Sequence, residues 1–171
     1  GRRLLAEVVD GDSSRVVLYD LTRGSQLQVS AGSVDTNPVW SADGAWIFYA
    51  SLDGGSFDIR RRRVDLSADP ETLRSTPADE VPVAVSPDGR WLYYETRSGA
   101  NSDIARLEIA APDTVEVLVS GPADEASTTA SPDGRYIVFQ SDVGGAWGIH
   151  VLDLETGARH SIAPGFQPAW S

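Results

Sequence analysis

One four-residue signature, Ser-x-Asp-Gly, recurs three times at a fixed spacing of 45 residues, as Ser41-Ala42-Asp43-Gly44, Ser86-Pro87-Asp88-Gly89 and Ser131-Pro132-Asp133-Gly134. An aromatic-rich apolar run follows each copy: Trp46-Ile47-Phe48-Tyr49, Trp91-Leu92-Tyr93-Tyr94 and Tyr136-Ile137-Val138-Phe139. Next comes a glycine-containing turn, then a further strand opening at Asp58-Ile59, Asp103-Ile104 and Gly148-Ile149. Arg3-Leu4-Leu5-Ala6-Glu7 aligns with Trp46 to Ala50, so residues 1–43 read as a further copy entered after its first strand. Gln167-Pro168-Ala169-Trp170-Ser171 repeats Asn37-Pro38-Val39-Trp40-Ser41. Glycine tolerates the positive φ of a tight turn, and the aspartate carboxylate can accept from amides ahead of it, so each signature predicts a turn between two strands.

Each unit reads as four short strands with no helical period, and four strands per unit of about 40–45 residues is the blade of a β-propeller. The chain is thus expected to be all-β, a single domain over 1–171, with antiparallel four-stranded blades over repeats of about 1–43, 44–88, 89–133 and 134–171. The copy at the front lacks its innermost strand and the segment from Phe166 is an innermost strand without a blade, so that segment is expected to pair with Arg2–Val9. Three arrangements fit: a closed four-bladed ring, two chains sharing strands in an eight-bladed ring, or a slice of a larger propeller.

Composition narrows the function. The net charge is −11, and all 14 basic residues are arginine. Such a surface repels phosphate backbones, which argues against nucleic acid and for a basic or neutral partner. Cysteine and methionine are both absent, so there are no disulfides or thiolate metal sites, and the sequence is expected to be a processed product or a segment. No apolar stretch reaches the roughly 18 residues of a membrane span, so no membrane insertion is expected.

The pattern acid-x-x-Pro-x-Trp-Ser-Pro-Asp-Gly, best kept at Asp35-Thr36-Asn37-Pro38-Val39-Trp40-Ser41-Ala42-Asp43-Gly44, resembles the repeat of TolB-like propellers. Val85 and Ala130 replace the tryptophan, and Thr128 the proline, in other copies. The resemblance implies a channel ringed by loops, a binding rather than catalytic role, and a bacterial extracytoplasmic setting.

The candidate site follows from the alignment. Asp35, Glu80 and Glu125 occupy one place just before each innermost strand, with Asp79 and Asp124 beside two of them. In a propeller such loops gather at one channel mouth, where carboxylates suit a basic partner segment or a divalent cation. The competing reading, which is favoured, is that each acid caps local amides or pairs with an arginine. No cofactor is expected. Trp147 has no counterpart in other copies and lies on a turn, so it is the expected exposed anchor. Arg60-Arg61-Arg62-Arg63 alternates along a strand, so Arg61 is expected to lean inward onto a carboxylate and Arg60 and Arg62 outward.

His150 and His160 lie ten residues apart without metal-ligand spacing, and no nucleophile elbow or phosphate-cradling loop is present. The preferred expectation is a non-catalytic module, a scaffold or sensor domain that binds a protein or peptide, with homodimerisation by strand exchange open to it. Its rivals are a small-ligand or carbohydrate sensor, and the propeller domain of a hydrolase or lyase.

Overall fold

A computed structural model describes residues 2–170. Those residues form strands and turns without helix, and the strands build antiparallel sheets in chain order. The first sheet holds β1 (Arg3–Asp10), β2 (Ser13–Asp20) and β3 (Ser25–Gln28). The second holds β4 (Asp35–Trp40), β5 (Trp46–Asp53), β6 (Ser56–Arg63) and β7 (Glu71–Arg74). The third holds β8 (Asp79–Val85), β9 (Trp91–Arg97), β10 (Ser102–Glu108) and β11 (Ala111–Val119). The fourth holds β12 (Glu125–Ala130), β13 (Tyr136–Ser141), β14 (Gly148–Asp153) and β15 (Arg159–Pro164). The first sheet has three strands, as a copy lacking its innermost strand requires.

The chain divides into two compact units, Gly1–Pro82 and Val83–Ser171, with the division inside β8. In the first unit, Val16, Leu18 and Val29 pack on Ile47, Tyr49 and Val64, with Leu5 and Trp40 against them. In the second, Trp91, Tyr93, Ile104 and Val119 pack on Ile137, Phe139 and Leu152. Period-2 alternation on neighbouring sheets therefore builds each core from facing aromatic and β-branched side chains.

The three signatures fold alike. Asp43, Asp88 and Asp133 each accept a hydroxyl from the serine two residues back at 2.5 Å, and an amide from the residue two ahead at 2.9–3.0 Å. Each serine hydroxyl in turn accepts the amide that opens the next strand, from Trp46, Trp91 or Tyr136. The turn glycines sit at φ 68, 72 and 73, a region open to glycine at no steric cost.

The innermost strands carry a repeated irregularity. Trp40 lies opposite Ile47 and Asp35 opposite Ser51, with a register shift between Thr36 and Val39. Glu125 lies opposite Ser141, with the same shift between Ala126 and Thr129. Asn37, Ser127 and Gln167 hold this place with φ of 50, 55 and 52. A bulge accommodates the extra residue. In β8 the aligned residue is Pro82, whose ring fixes φ near −65°.

Residues 165–170, expected to form an innermost strand, are not a strand. Other contacts hold that segment. The Trp170 ring stacks on Tyr136 at 6.4 Å, its Nε1 donates to the Thr129 carbonyl at 3.3 Å, and the Gln167 amide donates to Gln140 at 3.1 Å.

In the arginine run, Arg61 pairs with Glu71 at 2.6 Å, its guanidinium over the Trp46 ring at 4.8 Å. Arg62 departs from its expected outward position, donating to the carbonyls of Val29 at 2.6 Å and Ala68 at 3.1 Å. Both faces of β6 are in use, because the second sheet packs on the first through Ile47 and Tyr49.

Candidate functional site

Asp35, Glu80 and Glu125 are buried, at 0%, 0% and 1% exposure. Each uses one oxygen locally. Asp35 accepts the Gly32 amide at 2.7 Å. Glu80 accepts the Thr76 hydroxyl at 2.5 Å and pairs with Arg74 at 3.1 Å. Glu125 accepts the Ser141 hydroxyl at 2.9 Å, with Arg159 at 3.9 Å. Among the described residues, the second oxygen of each has no hydrogen-bond partner. Burial pushes the carboxyls of Glu80 and Glu125 above the usual range, against the opposing pull of these hydroxyls and arginines.

Asp79 and Asp124 stand beside them with another task. Asp79 accepts the Phe57 amide at 2.9 Å, and Asp124 accepts the Ser102 amide at 2.9 Å and its hydroxyl at 3.3 Å. Phe57 and Ser102 are aligned positions, so each acid ties its own copy to the third strand of the copy before it. Ser102 also donates to the Glu125 carbonyl at 2.7 Å, as the aligned Ser14 does to that of Asp35 at 3.0 Å. Asp79 and Asp124 thus latch consecutive copies, while the carboxylates of Asp35 and Glu125 bond to their own strand's surroundings.

A second latch escapes a reading of the acids alone. Glu7, Glu95 and Gln140 hold one aligned place, and each accepts from the bulge of the following copy: from the Thr36 hydroxyl, the Thr128 amide and the Gln167 amide. Ala50 holds that place in the remaining copy, and the copy after it carries Pro82, which has no amide hydrogen to donate. This pairing of acceptor with bulge was visible in the alignment, but only the positive φ values reveal its purpose. Burial raises the Glu95 carboxyl as well.

Trp147 is half-buried rather than freely exposed, its ring tilted against Phe166 at 6.4 Å. Around it lies a groove of about 430 Å³ lined by Val143, Ala146, Trp147, Ile162, Ala163 and Pro164. Its apolar lining stands in water at Val143 and Ile162, 56% and 61% exposed, and Phe166 against Trp147 is 67% exposed. β15 borders it as an edge strand, paired with β14 alone and exposed along its length. His150, also on the groove, is stacked on Phe139 at 5.7 Å, and burial, aided by Arg159, lowers its pKa and keeps the ring neutral at neutral pH. Among the described residues, no group of three or more His, Cys, Asp or Glu is placed to hold a metal ion, and no helix is long and apolar enough to cross a membrane.

The family model of the TolB beta propeller domain matches residues 1–171. No curated relative is matched by sequence. The chain is similar to the solved structure of a TolB from Agrobacterium tumefaciens, with a TM-score of 0.85 at 22% identity, covering 100% of this chain and 67% of that one. It is similar to TolB from Acinetobacter baumannii, with a TM-score of 0.79 at 18% identity, covering 95% and 41%. A prolyl endopeptidase structure matches with a TM-score of 0.72 at 17% identity, covering 96% and 27%. The chain therefore spans about two thirds of the first and less than half of the others. At these identities the likeness shows the fold alone.

Proposed function

The chain belongs to the TolB β-propeller domain family, and we propose that it acts as a non-catalytic module that binds an extended protein segment along the groove beside Trp147. The exposed apolar rim carries the reading. Val143 and Ile162 line the groove exposed to water beside an open strand edge, and Phe166, also exposed, packs on Trp147. Apolar patches of this kind mark interaction sites, and an edge strand offers unpaired backbone groups to an incoming extended segment. The net charge of −11 favours a basic or neutral partner over an acidic one. We place the module in a bacterial extracytoplasmic setting, on family resemblance.

Selection of a displayed random peptide library on the immobilised chain tests this. Enriched peptides should combine apolar with basic residues, and Ile162→Asp should weaken them by roughly tenfold or more, the scale of losing an interface anchor. Ile162 is largely exposed, so the variant should keep its Tm. Peptides that bind Ile162→Asp as well as the parent chain would remove the groove as the site.

A further inference from the structure

Asp-Gly pairs occur in all three signatures and, outside them, at Asp10-Gly11 and Asp53-Gly54 on aligned hairpin turns. Such a pair can react with itself: the glycine nitrogen reaches the aspartate side-chain carbon, with no glycine Cβ to obstruct the approach. In the signatures both reactants are engaged. The carboxylates of Asp43, Asp88 and Asp133 accept a hydroxyl and an amide. Gly44, Gly89 and Gly134 donate their amides to the serine carbonyls at 2.9 Å. At the turn between β1 and β2, by contrast, neither the Asp10 carboxylate nor the Gly11 amide has a partner among the described residues. Gly11 sits at φ 60 in open space, where a Cβ would meet nothing within 4 Å. The Ser13 hydroxyl donates to the Asp10 main-chain carbonyl at 2.8 Å, which draws electrons from that peptide and makes the Gly11 N–H a better acid. The exposure belongs to the turn itself. Ser98 and Val143, aligned with Asp10 in copies that have their innermost strand, are exposed as well.

The geometry points to Asp10-Gly11 as a site of spontaneous isoaspartate formation, with the signature aspartates shielded from the same reaction. The Gly11 nitrogen bonds to the Asp10 Cγ, and the Cγ–O bond of the protonated carboxyl breaks. The leaving hydroxyl takes the amide proton and departs as water, which closes a succinimide ring. Water then opens the ring. Attack at Cγ restores aspartate, whereas attack at the main-chain carbonyl carbon leaves the chain linked through Cβ and Cγ. One water leaves and one enters, so the reaction needs no oxidant, reductant or other reactant. The product carries an extra methylene in the main chain beside a tight turn, where turn geometry sets the register of β1 and β2.

Incubation of the folded chain at neutral pH in heavy-oxygen water, followed by peptide mass mapping, reads one heavy oxygen at each site that has passed through the ring. Asp10 should label roughly tenfold or more faster than Asp43, Asp88 and Asp133, the scale of breaking their bonds first. In denaturant the four sites should converge. Asp10→Glu, at an exposed position and unable to close the same ring, should keep the fold and lose the label. Ser41→Ala, which removes one of the bonds on Asp43, should speed labelling there. Equal labelling of the four sites in the folded chain, no label at Asp10, or a contrast that survives in denaturant would each overturn the assignment.

Discussion

A buried carboxylate with one oxygen bonded and the other bare is a costly group, and the chain repeats it at Asp35, Glu80 and Glu125. At Asp35 the approach is close: a Cβ on Gly32 would lie 2.5 Å from the Asp35 Oδ1, so any larger residue there must displace that carboxylate. At Glu80 and Glu125 the consequence is a pH dependence. Both carboxyls titrate above their ordinary 4.5, so the folded state binds a proton more readily than the unfolded chain. Their stabilising contribution is present below 4.5 and is lost as pH rises through the raised value. Opposing it, Asp43, Asp88 and Asp133 are held below 3.8, chiefly by their serine hydroxyls, and lose their contribution only on stronger acidification. These two carboxyls, with Glu95, therefore raise Tm as pH falls through their raised values. His150 works against them below its ordinary 6.5, and the three aspartates lower Tm on acidification below 3.8. Glu80→Gln with Glu125→Gln should remove their part of the slope. Thermal melts across these pH values check it; an unchanged slope would place the proton elsewhere.

At the scale of the element, the signature turn sets where one strand stops and the next begins. The same bonds recur in three copies, yet their surroundings differ. The bond from the Trp91 amide to the Ser86 hydroxyl is buried, whereas those to Ser41 and Ser131 are half-buried. Ser86→Ala leaves a buried amide without a partner, at a cost of about 1–3 kcal/mol. Ser41→Ala and Ser131→Ala let water take the vacated place and should cost less. Denaturant titration of the three variants ranks them, and equal losses would mean that burial does not govern the turn. The bulges follow the same logic, since each is matched by an acceptor in the copy before it and the copy with Pro82 is preceded by Ala50.

For the molecule as a whole, net charge competes with local pairing. Arg106 with Glu116 at 2.7 Å and Arg135 with Asp153 at 2.9 Å are exposed or part-exposed pairs, and such pairs contribute on the order of 0–1 kcal/mol. The charge of −11 destabilises the compact state through self-repulsion. Added salt screens both, with a Debye length of about 8 Å at 0.15 M. Repulsion spread over all 25 acidic residues outweighs a few exposed pairs, so Tm should rise from low salt to about 0.15 M. A fall in calorimetry would mean that the arginine pairs dominate.

The repeat, the strand count of each copy, the turns and the family were legible in the residues alone, because each rests on local chemistry. An Asp-Gly turn, an alternating strand and a missing first strand are readable wherever they occur. It also carried the preference for capping over a ligand-binding acid ring, since a carboxylate beside a strand start finds amides nearby. Tertiary structure decided what depends on neighbours distant in sequence. Asp79 and Asp124 reach back 22 residues to their amides. Arg62 turned inward because another sheet packs against its own, and Trp147 was half-covered by Phe166. The groove formed where β14, β15 and the loop before them meet. Residues 165–170 repeat 35–40 yet form no strand, because sequence likeness supplies a strand's side chains while only three-dimensional placement supplies the neighbouring edge that makes it one.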